Sequence, residues 1–231
     1  MGSWDDSGCH LLTDPLLTKA LALTSLPLFP LGTVLFPGGL LPLRIFEVRY
    51  LDMIGQCHRT GAPFGVVSLK SGAEVQRAGA PGETFEAVGT LAKITRFETP
   101  GPGLMVIQCG GTQRFKTSAS RQLKHGLWVA DVEMLADDLA VPVPEDLQTA
   151  ATALERLLHS LEARNVPEEQ RPLHPPFQMQ DCGWLANRWC ELLPLPAQLK
   201  QKLMELDNPL VRLELVVDLL ARHGIVSGDT D

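Results

Sequence analysis

An α+β fold is predicted: an antiparallel β sheet or small barrel with one inserted helix, followed by a helical bundle. Three features of the 231-residue chain point to it. A proline-studded apolar run opens the ordered part at Leu26, short β-branched segments between Gly, Pro and Ser clusters continue to about Leu135, and beyond Pro144 the apolar residues fall three or four apart.

Residues 1–25 read as an arm, polar and then mixed, that packs through Leu11, Leu12, Leu16 and Leu17. A β-rich domain follows over residues 26–136. In its opening run Pro27, Pro30, Pro37 and Pro42 recur too often for a buried helix or a central strand, because each fixes φ and removes a backbone donor. Two short extended segments folded back at Pro37-Gly38-Gly39 are expected instead. Val48, Leu51 and Ile54, three apart, then mark a helix from about Glu47 to Arg59.

Strands are expected at Phe64–Leu69, Ala87–Phe97, Leu104–Cys109, Thr112–Thr117 and Leu127–Leu135, which with the opening pair makes about seven. Thr99–Gly103 and Gly110-Gly111 read as tight turns, and hence as antiparallel hairpins. A polar loop with Lys70, Glu74, Gln76 and Arg77 joins Leu69 to Phe85.

Residues 137–144 form the expected linker, stiffened by Pro142 and Pro144. Helices fill residues 145–224. The first carries Leu147, Ala151, Leu154, Leu158 and Leu161, and a proline-rich connector follows it. Asp181 is placed to cap the second, with Leu185, Trp189, Leu192 and Leu193 on one stripe. Leu199, Leu203 and Leu206 mark a third, and Asn208-Pro209 opens a fourth before a tail at residues 225–231. Trp128, Trp184 and Trp189 sit in apolar patterns and read as packing residues.

Composition excludes several functions. Acidic residues outnumber basic ones 27 to 20 and no basic run occurs, so nucleic acid is a poor partner. Apolar stretches are broken by proline short of the roughly 20 residues that span a bilayer, and Asp5 and Asp6 stand where a signal peptide needs positive charge. A cytoplasmic protein without membrane contact is expected. Five cysteines, an odd number with no CxxC pair, fit reduced thiols better than disulfides or zinc, although the spacings Cys57-His58 and Cys182 with Cys190 could seed a metal site.

The run Leu26 to Ile54 resembles the opening signature of the Lon N-terminal domain, in particular of stand-alone bacterial proteins that carry it without the rest of the ATP-dependent protease. Val88–Ile94 followed by Gly111–Phe115 resembles a second family pattern, and Glu191–Pro196 with Leu206–Leu213 resembles the helical tail of the stand-alone members, so the likeness covers about residues 26–222. It implies a PUA-like pseudo-barrel followed by a helical bundle, and a role in engaging substrate rather than in chemistry.

The chain contains no G-x-x-x-x-G-K-[ST] phosphate loop, no G-x-S-x-G and no H-E-x-x-H. No catalytic residue, cofactor or metal ligand is assigned. The expected function is therefore non-catalytic binding of an unfolded or peptide substrate, or of a Lon-type protease, as an adaptor in protein quality control. Candidate contact residues are Phe36, Arg44, Phe46, Glu47, Arg49 and Tyr50, although the charged members also suit a salt-bridged junction at the helix entry. Arg96 and Arg114 are expected to pair with acids across the sheet. Two alternatives stand beside this: a cryptic hydrolase with its nucleophile at Ser68, two residues from Lys70, or at Cys57, and an RNA-binding PUA-like module.

Overall fold

Proline-restricted backbone makes the opening run extended, and it forms β1 (Ala22–Leu31) and β2 (Leu40–Ile45) in a computed structural model that describes residues 21–73 and 82–226. The leucines assigned to the arm, and Glu74, Gln76 and Arg77 of the loop, lie outside the described residues. β1 and β2 do not pair with each other. β1 runs antiparallel to β6 (Trp128–Met134) and parallel to β3 (Phe64–Ser71), while β2 runs antiparallel to β5 (Leu104–Gln122). The purely antiparallel expectation is thus corrected to a mixed sheet. The connection from β1 to β3 includes β2 and α1 (Val48–Thr60), which is long enough for a parallel crossover.

The sheet order is β2-β5-β4-β3-β1-β6, with β4 spanning Thr84–Gly101, and β6 also pairs with β5. Strands β1, β3, β4, β5 and β6 therefore form a closed circuit, and β2 hangs outside it as the free edge. Six strands are present among the described residues, not about seven, because the predicted Leu104–Cys109 and Thr112–Thr117 are one strand, β5. The Gly110-Gly111 pair is consequently no turn. A Cβ at Gly111 would collide with the carbonyl oxygen of Phe36, so the glycine admits the incoming loop 32–39, whose Gly38 N–H donates to the Gly111 carbonyl at 2.9 Å.

Gly111 N–H donates in return to the Gly39 carbonyl at 2.8 Å, which sets the ladder's phase. Residues 41, 43 and 45 then exchange bonds with β5, while Leu40, Pro42 and Arg44 turn their backbone groups outward. Pro42 occupies an outward position, where the ladder does not need its missing N–H.

After β6 come α2 (Gln148–Ala163), α3 (Cys182–Leu192), α4 (Ala197–Glu205) and α5 (Pro209–Arg222). Their starts follow the predicted caps: Asp181 accepts from the Trp184 N–H at 2.7 Å, and Asn208 accepts from Leu210 and Val211 at 3.0 and 3.3 Å. α3 is central. Its Leu185, Ala186 and Trp189 pack in one core with Leu154 of α2 and Leu213 and Val216 of α5, and Phe36 of the loop joins them. A second core sets Tyr50 and Ile54 of α1 against Phe29, Phe64 and Ile107. The linker is pinned rather than free, since Val143 N–H donates to the Gln180 carbonyl at 3.1 Å and Cys182 N–H to that of Val141 at 2.8 Å. No helix among the described residues is long and apolar enough to cross a membrane.

Candidate functional site

Sheet and helices meet through buried arginines. Arg114 of β5 donates to the Met204 carbonyl at 2.9 Å and reaches Asp207 at 3.2 Å and Asp138 at 3.5 Å. Arg212 of α5, 1% exposed, donates to Asp138 at 2.5 and 3.1 Å, to Asn187 at 2.9 Å and to the Leu206 carbonyl. Arg188 of α3 holds the carbonyls of Pro37 (2.8 Å) and Gly38, so the loop leading into β2 is clamped to the helices. The acids of Arg114 lie beyond the sheet, and Arg96 pairs at 2.7 Å with Glu98 on its own strand, which corrects the expectation of cross-sheet pairs. A residue's position on a strand does not reveal which helix will cover it.

Beside this seam, which itself keeps a hollow of about 320 Å³ lined by Arg114, Asp138 and Asn187, the surface opens into a trough. Its first part, about 480 Å³, lies over the sheet face along the register row Arg96–Gln108–Pro42 and under Glu168 and His174 of the connector. Two adjoining hollows, of about 410 and 260 Å³, share His174 with it and continue past the free edge of β2. They are lined by Leu40, Leu41, Pro172, Arg171, Lys200 and Glu191, among others. The Nδ1 of His174 is buried there without a hydrogen-bond partner among the described residues. The lining holds both polar and apolar groups, which suits a ligand that carries both a main chain and side chains. His174, Gln108, Arg171 and Lys200 were not singled out by the sequence, because the connector has no period and none of these residues belongs to a motif.

Glu191 shares a seam with Arg188, 3.2 Å away, and burial pushes its carboxyl up to about 7 although Arg188 and Lys200 pull the other way. Burial lowers the pKa of Arg188 and of Lys200.

The predicted contact residues divide. Phe36 and Tyr50 are buried, the first in the helical core and the second against Phe29 with ring centres 4.0 Å apart. Arg49 is buried too, bonding Glu83 and the Gly126 carbonyl, both at 2.9 Å, with Glu47 3.4 Å away. Burial pulls its pKa down, and the bond from Glu83 with the charges around it raises it overall. Glu83 also accepts from Trp128 Nε1 at 3.0 Å, so this cluster ties α1 to the base of the β3–β4 loop. Arg44 and Phe46 are exposed at the distal end of β2.

Ser68 is buried in β3, whereas Lys70 is half-exposed and paired with Glu86 at 2.8 Å. Burial raises the thiol of Cys57 and pushes those of Cys109 and Cys190 up to about 12, opposite to the shift that activates a nucleophile. Cys57, Cys109, Cys182 and Cys190 are free and buried, and no group of three or more His, Cys, Asp or Glu that could hold a metal ion occurs among the described residues.

The chain is thus a closed strand circuit with an inserted helix, flanked by helices and an open trough. A family model described as the ATP-dependent protease La (LON) substrate-binding domain matches residues 25–222, and the chain belongs to that family. It is 28% identical over 203 residues to a Lon protease of Anaeromyxobacter dehalogenans and 26% identical over 203 residues to Lon protease 2 of Myxococcus xanthus. Each match covers 85% of this chain but only 23% of the relative. Among solved structures, a Lon N-terminal domain protein from Xanthomonas campestris superimposes with a TM-score of 0.65 at 33% identity, over 85% of this chain and 98% of that one. The N-terminal domain of a Mycobacterium avium complex Lon protease (TM-score 0.56, 17% identity, 86% of this chain and 99% of that one) shares the fold.

Proposed function

We propose that this protein binds extended polypeptide in the trough between the sheet face and the proline-rich connector, as a non-catalytic adaptor that presents unfolded substrates to a Lon-type protease in the cytoplasm. The observation that carries the reading is the trough itself. It joins an apolar lining to hydrogen-bonding groups and runs onto the free edge of β2, whose outward C=O groups and the N–H groups of Leu40 and Arg44 match a main chain of any sequence. Membership of a substrate-binding family supports it, and the closed circuit of strands supports reading the sheet as a PUA-like pseudo-barrel beside a helical bundle. Of the six candidate contact residues, Arg44 and Phe46 extend the surface at the distal end of β2. Phe36, Glu47, Arg49 and Tyr50 hold the scaffold behind it.

The test is retention of an unfolded model substrate, reduced and alkylated lactalbumin, on the immobilised protein. Gln108→Trp fills the trough from a half-exposed position on the sheet face and should cut retention about tenfold or more. Undiminished retention by a folded Gln108→Trp variant would sink the assignment to the trough, and no retention by the parent protein would sink polypeptide binding.

A further inference from the structure

Resting on the polypeptide-binding reading, the far end of the trough shows a more specific chemistry. The recess beyond the β2 edge has an apolar floor of Val34, Leu35, Leu41 and Leu192 and a cationic rim of Arg171 and Lys200. Glu191 lines it as well, but its carboxylate is occupied by Arg188, with two guanidinium nitrogens 3.2 Å away. Lys200 donates to the backbone carbonyl of Glu191 at 3.1 Å and has no carboxylate within ion-pair distance among the described residues. Arg171 spends Nε on the Val166 carbonyl (3.1 Å) and one terminal nitrogen on the half-exposed Glu162 (3.2 Å), which leaves its second terminal nitrogen uncommitted among the described residues. In a chain of formal charge -7, two available cations over an apolar floor are a local exception to the overall field.

Gly39 lies so close to Glu191 that a Cβ would collide with the carboxylate, so the start of β2 abuts α3. Loop residues Thr33 to Leu35 and Glu191, Leu192 and Lys200 of the α3–α4 corner line the recess, which joins the neighbouring hollow through Leu40, Pro172 and His174.

We infer that the recess binds the C-terminal residue of a polypeptide, with an apolar side chain on the Val34–Leu35–Leu41 floor and the free carboxylate against Lys200 and Arg171. The main chain of an internal segment brings no charge to the two cations. A C-terminal apolar residue offers both groups at once, a side chain for the floor and a carboxylate that accepts charge-assisted hydrogen bonds.

The experiment offers the immobilised full chain a mixed pool of randomised synthetic peptides ending in leucine, made both as free acids and as C-terminal amides, with retained peptides counted by mass spectrometry. Free acids should be enriched about tenfold over amides, the scale of one charged hydrogen bond. Lys200→Gln and Arg171→Gln should each reduce that enrichment several-fold, with folding verified by the urea midpoint. Equal retention of acid and amide overturns the inference while leaving polypeptide binding intact, and retention of neither overturns both. Enrichment undiminished in both variants places the carboxylate elsewhere and overturns it as well. An amidated pool with glutamate next to the last residue, if retained like the free acids, reassigns the recess to acidic side chains and overturns the terminus reading.

Discussion

Arg212 grips Asp138 through both terminal nitrogens, at 2.5 and 3.1 Å, and so ties the last helix to the segment that leaves the sheet. The guanidinium is almost wholly buried while Asp138 keeps 18% of its side-chain surface. Removing Arg212 leaves the mostly buried Asp138 carboxylate with only the longer 3.5 Å contact to Arg114. Arg212→Met should cost about 3–5 kcal/mol of stability, and Arg212→Met combined with Asp138→Leu should recover a large part of it. Urea unfolding of the two variants checks this, and a double variant no more stable than the single would contradict it.

Glu191 gives a pH dependence whose sign is fixed by its environment. Its carboxyl titrates near 7 in the fold against an ordinary 4.5, so the folded state favours the protonated form. The stability it contributes is present below about pH 4.5 and is lost as pH rises through 7, by about 3 kcal/mol for a shift of this size. Glu191→Gln removes that titration. The stability of the variant relative to the parent should rise between pH 5 and pH 8, as measured by chemical denaturation at each pH, and a flat difference would contradict the burial of this carboxyl.

Gly111→Ala tests the close approach of loop 32–39 to β5. The added methyl collides with the Phe36 carbonyl, and that loop cannot retreat easily because Arg188 holds the carbonyls of Pro37 and Gly38. A loss of about 1–3 kcal/mol is expected from overpacking. The same substitution in a true two-residue turn at this position would leave loop 32–39 undisturbed, so a wild-type urea midpoint would restore the hairpin reading.

Arg49 and Glu83 make the third polar joint. Glu83→Leu strips the partner from a buried guanidinium and from Trp128 Nε1 at once. A loss of about 3–5 kcal/mol is expected, together with a change in the near-ultraviolet circular dichroism, since Trp128 also packs edge-on against Phe85. Arg49 in the signature thus serves the scaffold, and Arg49→Lys should lower stability before it alters ligand retention.

Much of this protein was legible from local chemistry. Asp181 and Asn208-Pro209 announced two helix starts, because a cap needs only its own next three residues. The opening prolines likewise dictated extended backbone at Leu26–Leu31 and Leu40–Ile45, since φ is fixed within each residue. The signature residues gave the family, and the apolar periods gave the helices α2, α3 and α5.

Tertiary structure decided what those elements meet. Gly110-Gly111 carries the same local preference in a turn as inside β5, and only the arrival of Phe36 from the opening loop distinguishes the two. Phe36 and Phe46 look alike in sequence, yet one is enclosed by α3 and its neighbours while the other is left in solvent. The trough is assembled from β2, β4, β5, the connector and the α3–α4 corner, segments far apart in the chain. Backbone propensity acts over a few residues, whereas burial, charge pairing and concavity depend on surfaces that meet only after the chain has closed on itself.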